Sequence, residues 1–302
     1  MRAAWFESFG SAKDVLQLGD IEAPTAGPGE VLVRIHTSGV NPSDVKKRAG
    51  SFPNLLDDGL VIPNSDGAGV IEAVGEGVDS GRIGERVWLY QAQFARRFGT
   101  AAEYVAIDAS RAPHLPDNVS FEVGACIGIP VMTAHRAVFA DGDVSGQTVL
   151  ITGGAGRVGY YAIQWASQAG ATVIATASNA EDRAACLAAG AHHVVNHRGD
   201  DVVADILAAS SGELIDRVVD VEFGTNLPIT VEVIAVGGVI ATYSSTQIPE
   251  PKIPFFKMMY KDLTIRAIIV YAMPESAKIH AIDDINAALL HATPCFLLVI
   301  IR

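Results

Sequence analysis

A chain of 302 residues with 49% hydrophobic and 19% charged residues can bury a large core, which excludes disorder and fits two domains. The formal net charge of −12 excludes nucleic acid and anionic membrane as partners, since both demand clustered lysine and arginine. The three cysteines, Cys126, Cys186 and Cys295, form no CxxC pair, so neither a disulfide framework nor a thiolate zinc cluster is expected, and the expected setting is the reducing cytoplasm.

The N-terminal stretch MRAAWFESFG lacks the continuous apolar run of a signal peptide. The first third then predicts strands at 30–40, 67–78, 86–90 and 101–107, where β-branched or alternating runs are separated by Gly- and Pro-containing turns. Strands so closely spaced predict a small barrel or sandwich. Residues 121–140 are rich in Gly, Ala and Val and read as one buried helix that Pro130 must break or kink. From 147 onward strands alternate with helices. The strands are expected at 148–152, 171–177, 192–195, 215–221, 238–243 and 263–271, and helices at 156–170, 180–190 and 201–209. That alternation specifies an α/β domain, a doubly wound parallel sheet with helices on both faces. The terminal apolar run Phe296–Ile301 is too short to span a bilayer, and no membrane association is expected.

Directly after the strand at 148–152 stands Gly154-Ala155-Gly156-Arg157-Val158-Gly159, a GxGxxG that opens a helix. In this pattern Gly154 is expected to make the tight turn and Gly156 to let backbone amides approach a pyrophosphate. Gly159 is expected to let the helix pack close to the strand, and the helix's positive N-terminal end then faces the phosphates. The second strand ends Ala177-Ser178-Asn179, without the carboxylate that would receive both ribose hydroxyls of NAD. Ser178 can donate to a 2′-phosphate and Arg183 can serve as counter-charge, so NADPH is the expected cofactor. Glu181 and Asp182 oppose this reading only weakly, because acids in a helix's first turn complement its dipole.

Absences narrow the class. Short-chain dehydrogenases need a YxxxK pair, and none of the seven tyrosines has a lysine four residues on. Zinc alcohol dehydrogenases need a catalytic thiolate from the first domain, and no cysteine precedes Cys126. The histidines His192, His193 and His197 cluster only within the nucleotide domain, so no metal site is expected.

The stretches GVNPSDVKKRAG (39–50), IPNSDGAGVIEAVGEGV (62–78) and VLITGGAGRVGYYAIQWASQAGATVIATAS (149–178) resemble the zinc-free NADPH:quinone oxidoreductase (zeta-crystallin-like) branch of the medium-chain dehydrogenase/reductase superfamily. Zinc-dependent relatives carry a cysteine in the first stretch and a His-Glu pair in the second, where this chain has Asn41 or a neighbour and Ser65-Asp66. The resemblance implies a β-rich, GroES-like catalytic domain at 1–120, completed by about 273–302, and a Rossmann domain binding NADP at 121–272. It places Ala155, Gly156, Arg157 and Val158 at the pyrophosphate, Ser178 and His197 at the adenosine ribose, and Asn226 along the cofactor. Tyr243, Ser244, Ser245 and Thr246, with Ile268, Ile269 and Val270, would line the nicotinamide. Asn41 would polarise the acceptor carbonyl, Thr133 would bond the carboxamide or acceptor, and Lys46 would supply the proton, where relatives commonly carry tyrosine. The strand around 265–271 would pair with its twin in a homodimer. Relatives continue beyond the equivalent of Asp283–Leu290, and whether Phe296–Ile301 closes the first domain stays open. Hydride transfer from NADPH to a small-molecule quinone or other activated carbonyl is the implied reaction. Reduction of an enone's conjugated double bond and non-catalytic NADPH binding are the alternatives.

Overall fold

In the computed structural model, residues 1–290 are described, so Cys295 and the stretch Phe296–Ile301 lie outside the described residues. The chain forms two compact units, one of residues 1–129 with the described segment from Ile282 onward, the other of Pro130–Ala281.

In the first unit the alternating runs become β3 (Glu30–Gly39), β4 (Asp66–Val74), β5 (Arg86–Leu89) and β6 (Tyr104–Asp108). They pair antiparallel in the order β5-β4-β3-β6. Their inward side chains, among them Val31, Val33, Ile71, Val87, Leu89, Val105 and Ile107, make one apolar core. Each such side chain contributes about 1.5–3 kcal/mol by leaving water. A second antiparallel pair, β1 (Arg2–Trp5) with β2 (Gln17–Asp20), was not legible in the sequence, since neither strand exceeds four residues.

The second unit holds a six-stranded, wholly parallel sheet in the order β12-β11-β10-β7-β8-β9. Its strands are β7 (Thr148–Ile151), β8 (Thr172–Thr176), β9 (His193–Val195), β10 (Ile215–Asp220), β11 (Ile234–Thr242) and β12 (Thr264–Ala267). This is the doubly wound order, with the chain reversing direction across the sheet between β7 and β10, the place where such sheets bind nucleotides. Leu150, Ile174, Val218 and Ile240 lie at its centre.

Three expectations need correction. The strand expected at 101–107 is β6, which starts at Tyr104, and the strand expected at 263–271 is confined to Thr264–Ala267, ahead of a 3-10 turn at Val270–Ala272. The single helix expected at 121–140 is two, Phe121–Gly124 and Ile129–Phe139. The break expected at Pro130 falls just before it, and Pro130 occupies the second position of the later helix, where its missing N–H costs no hydrogen bond. The two compact units meet at 129/130 and 281/282, a few residues beyond the boundaries expected at 120/121 and 272/273. Phe121 explains the first shift: its ring stacks on His36 at 4.3 Å and carries the Arg86 guanidinium at 4.1 Å, which ties it to the antiparallel sheet. His280 explains the second, meeting the His135 ring edge-on at 5.5 Å. Among the described residues no helix is long and apolar enough to cross a membrane.

Candidate active site

The glycine turn lies at the C-terminal end of β7. The residue that takes the left-handed backbone is Gly153 (φ +61°) and not Gly154, as the motif alone suggested. Gly154 serves packing instead: a Cβ there would lie 2.8 Å from Cys186 Sγ and 2.9 Å from Ala175 Cβ. Hydrogen bonds fix the turn on β8, from Gly153 N–H to Thr176 Oγ1 (3.0 Å) and from Gly154 N–H to the Thr176 carbonyl (3.0 Å). The helix Arg157–Gln168 then starts from Gly156, which has no side chain to cap it. The amides of a first helical turn lack intrahelical acceptors, so a start without a side-chain cap suits an anion. A Cβ at Gly156 would meet only the Gly153 carbonyl, at 3.1 Å, so the missing side chain leaves the approach to those amides open. The turn fits a dinucleotide's pyrophosphate. Ala155 and Val158 flank it half-buried, and Arg157 is exposed.

Beyond β8, Ser178 is half-buried and no carboxylate ends the strand. Asn179 caps the next helix, Ala180–Ala188, accepting from Asp182 N–H (2.8 Å) and donating to the Asp182 carboxylate (2.7 Å). Asp182 is thus engaged in capping. Arg183, expected as counter-charge for a 2′-phosphate, donates from Nη1 to the Val194 carbonyl of β9, which uses one of its five N–H donors and leaves its charge in place. His197 is exposed just after β9, and partial burial with Arg198 nearby holds its pKa below the usual histidine value.

The sequence reading missed Asp220, at the end of β10. It is fully buried, and its Oδ1 accepts from Thr152 Oγ1 (2.7 Å), Glu222 N–H (3.1 Å) and Asn226 Nδ2 (2.7 Å). Asn226, expected along the cofactor, therefore spends one amide N–H on Asp220. Thr152 in turn accepts from Val221 N–H (3.0 Å), so the turn after β7 and the loop after β10 are one hydrogen-bonded unit. A carboxylate ending the otherwise apolar run IDRVVD was the signal available. Glu222 gave no such signal, yet its carboxylate accepts from the amides of Thr246 and Gln247, both at 2.9 Å. Together with Ser245 Oγ, which accepts from Gly224 N–H (3.0 Å), and the Ser244 carbonyl, which accepts from Phe223 N–H (2.9 Å), it anchors Tyr243–Thr246. Burial raises the Tyr243 hydroxyl pKa, and the nearby Asp220 charge adds to it. Ile268 and Val270 are buried, whereas Ile269 is 54% exposed.

Comparison with known proteins decides the family. Residues 27–117 match the alcohol dehydrogenase GroES-like domain, and residues 158–286 match the zinc-binding dehydrogenase family. The Homo sapiens quinone oxidoreductase is 33% identical over 248 residues, covering 81% of this chain and 73% of that protein. This chain belongs to the quinone oxidoreductase family of the medium-chain dehydrogenase/reductase superfamily. A Geobacillus stearothermophilus alcohol dehydrogenase is 34% identical over 224 residues, covering 67% of this chain and 65% of that protein. Among solved structures, a mycobacterial protein complexed with NADPH superposes with a TM-score of 0.82 at 27% identity, covering 97% of this chain and 91% of the other.

In this quinone oxidoreductase family member, the first unit gathers the residues of its two matching stretches into one buried cluster. The helix Pro42–Arg48 starts at Asn41, whose backbone N–H donates to Asp44 Oδ2 at 2.8 Å. The Asn41 side chain donates from Nδ2 to Asp66 Oδ2 (2.9 Å), which also accepts from Ile129 N–H (2.9 Å). Asp66 Oδ1 lies 2.3 Å from where a Cβ on residue 128 would sit, so only glycine fits there. Burial pushes the Asp66 carboxyl up to about 7 against the pull of those two hydrogen bonds, and burial raises Asp44 as well.

Lys46, the expected proton donor, is exposed; its neighbour Lys47 turns inward. Lys47 Nζ donates to the Gln93 carbonyl (2.6 Å) and to Ser65 Oγ (3.2 Å) and lies 3.9 Å from Asp44 Oδ1. Burial lowers its ammonium to about 8, with Asp44 and Asp66 opposing the shift. Non-glycine residues with left-handed backbones, Gln91 and Ala95, both at φ +55°, flank the loop that presents the Gln93 carbonyl. Thr133, in the second unit, is buried within the helix Ile129–Phe139.

Proposed function

We propose that the protein is an NADPH-dependent reductase that passes a hydride to a quinone or similar activated carbonyl without zinc. The observation that carries this reading is the start of the helix Arg157–Gln168 without a side-chain cap, set between β7 and β10. When bound there, NADPH supplies the hydride. The chain's own residues orient the reaction. Gly153 to Val158 hold the pyrophosphate, Ser178 meets the 2′-phosphate, and the loop anchored by Glu222 lines the nicotinamide. Asn41, steadied by Asp66, presents its amide to the acceptor oxygen. Zinc independence rests on donor chemistry: Asn41 or a neighbour and Ser65-Asp66 stand where zinc-dependent relatives carry cysteine and His-Glu, and the Lys47 ammonium shares their cluster.

Fluorescence titration of the purified protein with NADPH and NADH tests the cofactor assignment. NADPH is expected to bind about tenfold tighter or more; equal affinities, or a preference for NADH, overturn it. Turnover of an alkenal but not of a benzoquinone would redirect the acceptor to conjugated double bonds.

The same reading includes a homodimer. The strand β12 pairs only with β11 among the described strands and so forms a sheet edge. Beside it in sequence, Phe255 (64%), Phe256 (68%) and Tyr260 (78%) are exposed, an apolar surface that association would cover. Sedimentation velocity is expected to show a dimer that Phe256→Asp converts to monomer; a monomeric wild-type protein refutes this.

A further inference from the structure

The first unit contains a cavity of about 390 Å³, with Lys47 and Gln93 in its lining. That volume lies within the range of small-molecule sites, about 300–1,000 Å³. Its charge runs against that of the chain. Lys47, Arg96 and Arg97 line it with Asp58 as the one carboxylate, in a protein of net charge −12. Cations gathered in a concave, partly apolar surface focus a positive potential that draws negative ligands. Two of the three are already held in place: Lys47 by Gln93 and Ser65, and Arg96 by the Ala106 carbonyl. Arg97 differs. Its guanidinium makes no hydrogen bond or ion pair among the described residues and lies 5.0 Å from the centre of the Phe98 ring. Phe52 and Phe94 add aromatic faces to the lining. Such faces suit a flat ring. The loop carrying Phe94, Arg96 and Arg97 includes the left-handed Ala95, a conformation kept only where the surroundings enforce it.

We propose that this cavity binds the ring of the acceptor, and that its cations select aromatic acceptors carrying an acidic substituent. The inference rests on the reductase reading above and narrows its substrate class. The ring lies between the phenylalanine faces and the acidic group pairs with Arg97.

The test compares the full-length protein with Arg97→Gln, a half-exposed position whose change leaves the core intact. NADPH oxidation is followed with naphthoquinone and with a naphthoquinone sulfonate. Comparing variants on each acceptor separately cancels the acceptors' different intrinsic reactivities. Arg97→Gln is expected to lower kcat/KM for the sulfonate about tenfold while the uncharged parent stays within about twofold. In a separate arm without cofactor, calorimetry with naphthalenesulfonate is expected to show saturable binding that Arg97→Gln weakens about tenfold. If the sulfonate and its parent fall together in Arg97→Gln, or naphthalenesulfonate does not bind, the proposal is overturned. The cofactor-free arm decides for or against the cavity even if no acceptor is reduced, which separates its failure from failure of the reductase reading.

Discussion

Replacing Gly159 with valine is expected to raise the NADPH dissociation constant about 100-fold or more, equivalent to roughly 3 kcal/mol. The reason is steric and local. A Cβ at this position would lie 2.4 Å from the Gly153 carbonyl oxygen and 3.0 Å from the Gly154 Cα, both backbone atoms of the turn. Neither can rotate away as a side chain would. The helix must lift off β7, or Gly153 must leave its left-handed conformation, and either change moves the amides that receive the pyrophosphate. The fold should survive, with overpacking costing about 1–3 kcal/mol in urea unfolding. Gly156→Ala is the informative companion. Its Cβ would meet only the Gly153 carbonyl at 3.1 Å, so stability should change little while affinity still falls. A Gly159→Val protein that bound NADPH within threefold of wild type would remove the turn from the cofactor site.

Asp220→Ala is expected to destabilise the protein by about 2–4 kcal/mol. Three donors converge on this carboxylate: the Thr152 hydroxyl, the Glu222 amide and the Asn226 side chain. Alanine removes the acceptor from the buried Thr152 hydroxyl and from the half-buried Glu222 amide and Asn226 side chain. The Thr152 hydroxyl can rotate to another partner, but the Glu222 amide cannot. Asp220→Asn keeps one acceptor oxygen and should lose less than half as much. Because Thr152 also accepts from Val221, and Glu222 anchors the loop at 243–247, NADPH affinity should fall with stability in the alanine variant. Urea unfolding with matched m-values checks the first claim and fluorescence titration the second. A loss below about 0.5 kcal/mol would mean that the site relaxes around the missing acceptor.

The parts of this protein that the sequence made legible are those dictated by near neighbours. The parallel sheet follows from period and composition, and the glycine turn follows from one strand-turn-helix junction. The short pair β1–β2 escaped because four residues carry too little periodicity. The helix Phe223–Val233 escaped because Pro228 sits inside it. At the site, misassignments came where distant segments decide the outcome. Lys46 and Lys47 are adjacent on a seven-residue helix, too short for a hydrophobic stripe to set its phase. Ser65 and Gln93, far away in sequence, determine which lysine faces inward. Arg183 sits well for a phosphate by local spacing, and that spacing gave no sign that its Nη1 also reaches the Val194 carbonyl.

The contact between Asp66 and Gly128 has an evolutionary corollary. The carboxylate occupies the volume that a side chain at 128 would need, so position 128 is closed to substitution while position 66 keeps its aspartate. A lineage that acquired alanine at 128 would first have to shorten residue 66, for instance to serine, and that exchange would strip Asn41 of its acceptor. The order of the two exchanges is therefore set by sterics, residue 66 before residue 128.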